Sequence, residues 1–206
     1  MLVITSDVRN EIDDHALELA FDVLNDGGVI AYATDTCYGF SCDATKQKAV
    51  DRLRFMKQML VDKPISLIFD SMDHVMRWVR IDDRGLTLAA KYWPGNLTIV
   101  ANKRVEMKNR EYANKGIDTI GCRIPACVFS HKLVENCGFP ITTTSANISG
   151  LPSTYSAYDI IKQFENAELK PDLVIDSGVI PKNAPSTVVD LSGSEVRVLR
   201  AGVVAV

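Results

Sequence analysis

Short polar segments that directly follow apolar runs hold most of this chain's capacity for chemistry. Thr34-Asp35-Thr36 follows Val29–Ala33, Arg123 precedes Ile124-Pro125, Thr142-Thr143-Thr144-Ser145-Ala146-Asn147 closes another run, Ser186-Thr187 opens a later one, and Arg200 follows the last. Hydroxyl and backbone N–H donors grip phosphate or carboxylate oxygens, and Arg or Lys offsets their charge, so these residues form an anion-binding inventory. Lys57 and Lys63 join it if the helix before them ends beside the same strand ends. There is no Walker A loop, G-x-G-x-x-G, G-x-S-x-G elbow or His pair at metal spacing, which removes the commonest nucleotide, hydrolase and metal templates. Taken singly, each candidate has a plainer role: Thr142 to Thr144 as ordinary strand residues, Asp35 as a turn residue, Lys57 as the solvated end of a helix. His15, His74 and His131 fall on expected helices and read as surface residues rather than bases.

The elements that must position these groups follow from hydrophobic period. Ala16, Leu17, Ala20, Phe21 and Leu24 share one helical face over 14 to 26, stopped by Gly27-Gly28, and the run 29 to 33 reads as a buried strand. Thr45 is placed to cap a helix with Ala49, Val50 and Leu53 on its inner face, followed by a strand over 65 to 69. Helices over 72 to 79 and 84 to 92, a strand over 97 to 101, an irregular basic stretch over 102 to 116, a strand over 119 to 124, a helix over 127 to 137 and a strand over 140 to 144 continue the alternation. A helix over 156 to 166 leads to strands over 173 to 175, 187 to 191 and 196 to 199. The pattern predicts a single α/β domain over 1 to 206 with a twisted mixed sheet flanked by helices; the short 187 to 199 connection favours a terminal antiparallel pair.

A length of 206 residues suits one domain, and 47% hydrophobic with 24% charged is ordinary globular composition. No apolar run approaches the roughly 18 residues of a membrane span, and the acidic start lacks a secretory core, so a cytoplasmic location is expected. Cys37, Cys42, Cys122, Cys127 and Cys137 form no C-x-x-C pair and read as reduced, mostly buried thiols. The net charge of −3 excludes a uniformly basic nucleic-acid binder, yet 46 to 63 holds six bases against two acids and 103 to 115 five against two.

Six blocks, spread over nearly the whole chain, together resemble the YrdC/Sua5/YciO family: Ala33-Thr34-Asp35-Thr36-Cys37-Tyr38-Gly39, Lys57-Gln58-Met59 with Lys63-Pro64, Trp93-Pro94-Gly95-Asn96-Leu97-Thr98, Ile120-Gly121-Cys122-Arg123-Ile124-Pro125, Ser145-Ala146-Asn147-Ile148-Ser149-Gly150 and Ser186-Thr187-Val188-Val189-Asp190-Leu191. The resemblance implies a concave, locally positive α/β face. It also implies an L-threonylcarbamoyladenylate synthase, which joins L-threonine, bicarbonate and ATP and releases diphosphate. Its product serves the downstream t6A-transfer proteins that modify adenosine 37 of tRNA. By motif, Thr36, Arg123, Thr143 and Ser186 match the threonine pocket, and Lys57, Lys63, Thr119, Ser145, Asn147, Ser153 and Arg200 the nucleotide side, with Lys57, Ser145 and Asn147 the catalytic positions. Mg2+ is implied, held mainly by ATP phosphates, with no protein metal site. The family's K-x-R reads Lys57-Gln58-Met59 here, and Ile68 stands where longer relatives place a threonine-contacting His. A YciO-like paralogue binding a nucleotide, tRNA or double-stranded RNA without synthase activity is the alternative the resemblance allows.

Overall fold

Every residue of the run Ile30–Ala33 is buried, so this strand lies inside a sheet covered on both faces. Its pleat sends Ile30 and Tyr32 into a cluster with Leu17, Leu24, Phe129 and Leu133, and Ala31 and Ala33 into another with Val50, Leu53, Ile160 and Phe164. Helices therefore pack against both faces. The computed structural model describes residues 1–9, 11–107 and 110–206. In chain order these form β1 (Leu2–Thr5), α1 (Asp14–Asn25), β2 (Ile30–Ala33), β3 (Tyr38–Ser41), α2 (Gln47–Met56), β4 (Ser66–Ile68), α3 (Met72–Trp78), α4 (Asp83–Tyr92) and β5 (Leu97–Asn102). There follow β6 (Thr119–Arg123), α5 (Val128–Cys137), β7 (Ile141–Ser145), α6 (Ala157–Gln163), β8 (Leu173–Asp176), β9 (Thr187–Asp190) and β10 (Arg197–Arg200).

The strands make one mixed ten-stranded sheet in the order β1-β8-β2-β3-β7-β4-β6-β5-β9-β10. The pairs β1–β8, β2–β8, β4–β6 and β5–β9 are parallel, and β9–β10 is the expected terminal antiparallel pair. Central β7 joins the two halves: Thr144 and Ser145 pair with Phe40 and Gly39 of β3, while Ile141 to Thr143 pair with Ile68 to Ser66 of β4. Its polar end thus opens in the middle of the sheet.

The structure corrects several local readings. β1 escapes the period because it is an edge strand whose residues stay exposed or half-buried. β3 escapes it because the tight turn at 34–37 makes 29–41 a hairpin, where the sequence reads as a strand ending in a polar loop. Thr45 does not cap α2: its N–H and hydroxyl donate to Asp43 Oδ1 at 2.8 and 2.6 Å, and the N-cap is Lys46, which makes no side-chain cap bond. His74 is not on the surface but 2% exposed. Its Nδ1 lies 3.0 Å from Asp70 and its ring meets Phe69 edge-on, and burial is the first cause holding its pKa below the ordinary value. Cys42, Cys122 and Cys127 are buried and Cys37 and Cys137 half-buried, all free thiols. Lys108, counted in the basic 103 to 115 stretch, lies outside the described residues.

The end of α2 matters most for the site. Gln58, at φ +50°, donates its N–H to Phe55 O, and Met59 donates to Arg54 O, both at 2.9 Å. This is a Schellman closure with a non-glycine in the left-handed position. The chain reverses there, leaving Lys57 buried and Met59 against the concave face.

Candidate functional site

Strand ends and loops from both halves of the sheet enclose a cavity of about 400 Å3, within the usual size for small-molecule sites. Thr36, Lys63, Arg123, Thr143, Ser145, Ser153, Ser186 and Arg200 lie on its wall, and so do Met59 and Ile68. Lys57, Thr119 and Asn147 do not. Among the described residues, Lys63, Arg123 and Arg200 set three cations on the wall against one acid, Asp35. Sequence reasoning passed over Ser66, Thr98, Ser130, Tyr155 and Asn183 as wall residues. A hydroxyl inside an otherwise apolar strand, as at Ser66 and Thr98, is the signal that marks such positions. Between those two sits Gly121, where a Cβ would stand 2.8 Å from Ser66 Oγ and 3.3 Å from Thr98 Cγ2, so a side chain there would displace the Ser66 hydroxyl.

Arg123, at the end of β6, organises one side. Its Nε donates to Gly95 O at 2.8 Å, and its Nη2 donates to Asp35 Oδ2 and Asn96 Oδ1 at 2.5 Å each. The side chain is 8% exposed and that of Asp35 21%. Asp35 is thus more than a turn residue, because it engages a guanidinium 88 residues away. The turn holding it is pinned by Thr34, whose hydroxyl donates to Cys37 O at 2.6 Å and accepts from Thr36 N at 3.2 Å. Asn183 Nδ2 closes over the turn onto Asp35 O at 2.9 Å.

Lys57 is 3% exposed, so the solvated-helix-end role is excluded. Its Nζ donates to Ser145 O, and to Asn147 O at 2.7 Å. Those bonds shape the turn leaving β7, where Ser145 Oγ donates to Asn147 Oδ1 and Asn147 Nδ2 donates to Ile148 O and Leu151 O. Burial first, and Lys63 second, bring the Lys57 pKa down to about 7. A neutral amine keeps two N–H groups, enough for both carbonyls. The unfolded chain holds this proton up to the ordinary lysine range, while the folded chain releases it from about pH 7. The stability contributed by Lys57 therefore rises with pH across that window by about 1 kcal/mol per pH unit. Urea unfolding of the wild type and of Lys57→Met from pH 7 to 9.5 is expected to give stability curves that diverge with pH; parallel curves would reject this titration.

Arg200, although exposed as a residue, lays its guanidinium against Ser186, with Nη2 2.8 Å from Oγ and Nε 3.0 Å from the carbonyl. Burial there, then Arg123, lowers its pKa. The tail that carries Arg200 is clasped by Thr187, whose hydroxyl donates to Val204 O at 2.6 Å. At Gly202 a Cβ would stand 2.2 Å from Pro185 O, so this close approach requires glycine. Burial raises the Cys37 thiol, which argues against a thiolate nucleophile on the wall. Among the described residues no cluster of three or more His, Cys, Asp or Glu could hold a metal ion, and no helix is long and apolar enough to cross a membrane.

A mixed α/β sheet whose strand ends enclose hydroxyls and cations has the chemistry to take up a small anionic ligand. A family model for Sua5, YciO and YrdC proteins, described as "Telomere recombination", matches residues 22–202. The chain belongs to that family. It is 32% identical over 202 residues to the threonylcarbamoyl-AMP synthase of Pyrococcus abyssi, matching 98% of this chain and 58% of that protein. The chain thus spans little more than half of that relative's length. The crystal structure of P. abyssi Sua5 complexed with L-threonine superposes with a TM-score of 0.87 at 31% identity, over 98% of this chain and 58% of that one. That of E. coli YciO gives 0.82 at 26% identity, over 98% and 95%.

Proposed function

We propose that this chain is an L-threonylcarbamoyladenylate synthase, with residues 1–206 acting as one domain. The observation that carries the reading is the meeting of Lys63, Arg123, Ser145, Ser186 and Arg200, from distant parts of the chain, on one cavity. The relatives matched over 98% and 90% of the chain bear synthase names, which does not favour the paralogue without synthase activity. Threonine's neutral amine attacks CO2 released from bicarbonate and loses a proton to give a carbamate. A carbamate oxygen then attacks the α-phosphorus of ATP, the bond to the bridging oxygen breaks, and diphosphate departs. None of these steps needs a protein nucleophile. They need approximation and charge neutralisation, which the cavity is equipped to supply.

In this reading Arg123, with Thr36, Thr143 and Ser186, holds the amino acid, its guanidinium suited to the carboxylate. Lys63, Ser145, Ser153 and Arg200 face the triphosphate. Lys57 and Asn147 act from behind, shaping the turn that presents Ser145. Thr119, about 13 Å along β6 from Arg123 at the usual strand rise, lies off the cavity wall and keeps its place on the nucleotide side, toward the far end of β6. Mg2+ enters with ATP as substrate, held by phosphate oxygens and water; Asp35, the one acid on the wall among the described residues, is already engaged by Arg123. The product is a reactive mixed anhydride, consumed by t6A-transfer proteins that act on tRNA in the cytoplasm. Within the basic 46 to 63 stretch Arg54 and Lys57 are buried and Arg52 pairs with Asp172, so it offers such RNA fewer cations than its sequence suggests.

Incubation with ATP, Mg2+, bicarbonate and L-threonine is expected to release diphosphate only when threonine is present and to yield threonylcarbamoyl-AMP. Salt-sensitive retention of tRNA or double-stranded RNA without any diphosphate would instead support the YciO-like reading.

A further inference from the structure

The cavity wall that carries Lys63 is a surface excursion. Leu60, Val61, Asp62, Lys63 and Pro64 are all exposed, and Lys63 N to Leu60 O at 3.2 Å is a backbone bond within the loop. Beneath it lies the guanidinium of Arg54, a residue 8% exposed on the inner side of α2. Arg54 Nη1 donates to Leu60 O at 2.7 Å, and its Nη2 donates to Lys63 O at 2.9 Å and Ala113 O at 2.7 Å. The far end of the loop is gripped by Asn114, 1% exposed, which accepts from Ile65 N and donates to Ile65 O, both at 2.9 Å. Asn114 is fixed in turn: its N–H donates to Glu111 Oε2 at 2.9 Å, its carbonyl accepts from Lys103 Nζ at 2.6 Å, and Lys103 and Glu111 form a buried ion pair.

We infer that Arg54 and Asn114 are positioning residues that hold the 60–65 loop so that Lys63 is delivered to the bound triphosphate. A guanidinium bonded to three backbone carbonyls, two in the loop and one at Ala113, has a fork geometry that an ammonium cannot reproduce. Burying it costs desolvation, the first cause lowering its pKa, and a charge buried to hold the backbone of one loop implies that the loop's conformation matters. With Met59 at the K-x-R position, Lys63 is the cation that this loop brings to the cavity, so its placement contributes to triphosphate affinity. The inference rests on the nucleotide reading above.

The test is a double-mutant cycle read by calorimetric ATP binding, with Arg54→Leu, Lys63→Ala and both together. Arg54→Leu is expected to weaken ATP binding about tenfold, to leave L-threonine binding within about twofold, and to add nothing to Lys63→Ala. Arg54→Lys, which keeps a charge but not the fork, is the second variant should Arg54→Leu fail to fold, and is expected to weaken ATP binding in the same direction. Additive losses, or wild-type ATP affinity in a folded Arg54 variant, would overturn the inference. A wild type that binds no ATP overturns the nucleotide reading instead. Hydrogen exchange over 58–66 then still decides on Arg54: faster exchange confined to that segment supports the loop-holding role, and unchanged exchange defeats it.

Discussion

Replacing Arg123 with Ala is expected to reduce threonine-dependent diphosphate release by about a hundredfold or more and to destabilise the fold at the same time. The guanidinium holds Gly95 O, Asn96 Oδ1 and Asp35 Oδ2. Its removal leaves the Asp35 carboxylate, 21% exposed, without its guanidinium partner, and breaking a largely buried pair on one side costs up to about 3 kcal/mol. With Nε and Nη2 committed to the protein, the donors left for a substrate carboxylate are those of Nη1. Losing a charge-assisted contact of that kind removes about 1.5–3 kcal/mol of binding on its own. Arg123→Lys should restore little, since one ammonium lacks the planar fork that spans Asp35 on one turn and Gly95-Asn96 on another. Asp35→Asn keeps a partner for Nη2 and should lose less than either. Initial rates with varied L-threonine, beside urea unfolding, check this ordering. An Arg123→Ala enzyme within tenfold of the wild type would remove Arg123 from the threonine pocket.

The second large effect is expected in the opposite direction. Met59 is 9% exposed and lines both the cavity and a groove formed with Asn166 to Leu169. In Met59→Arg the aliphatic stem can follow the channel Met already occupies while the head emerges into the cavity. A new bidentate contact to phosphate is worth about 1.5–3 kcal/mol, so the KM for ATP should fall tenfold or more while that for L-threonine stays put. Steady-state kinetics with each substrate varied separately gives the answer. Unchanged kinetics in a folded variant would place residue 59 away from the phosphates.

Legibility differed by element. The α1 face, the buried β2 run and the terminal β9–β10 pair followed from period and connection length, because each expresses one element meeting the core. β1 and β3 did not, since an edge strand buries little and a hairpin turn made of Thr, Asp and Cys carries no Asn-Gly or Asp-Gly signal. The fate of Lys57 was also closed to sequence reasoning: a lysine at a helix end is solvated unless another segment covers it, and that cover comes from residues 145 to 149, nearly ninety positions away.

By itself the order of residues determined the alternation of helices and strands, the polar strand ends that could bind an anion, and the family blocks that contain them. Only the tertiary structure decided which of those groups share a wall. It put Arg123 against Asp35, turned Lys57 inward to hold a turn, and placed Arg54 and Asn114 beneath the loop of Lys63. The reason is physical: period reports which face of one element meets the core, whereas a site is made by contacts between elements, and their distances depend on strand order and register.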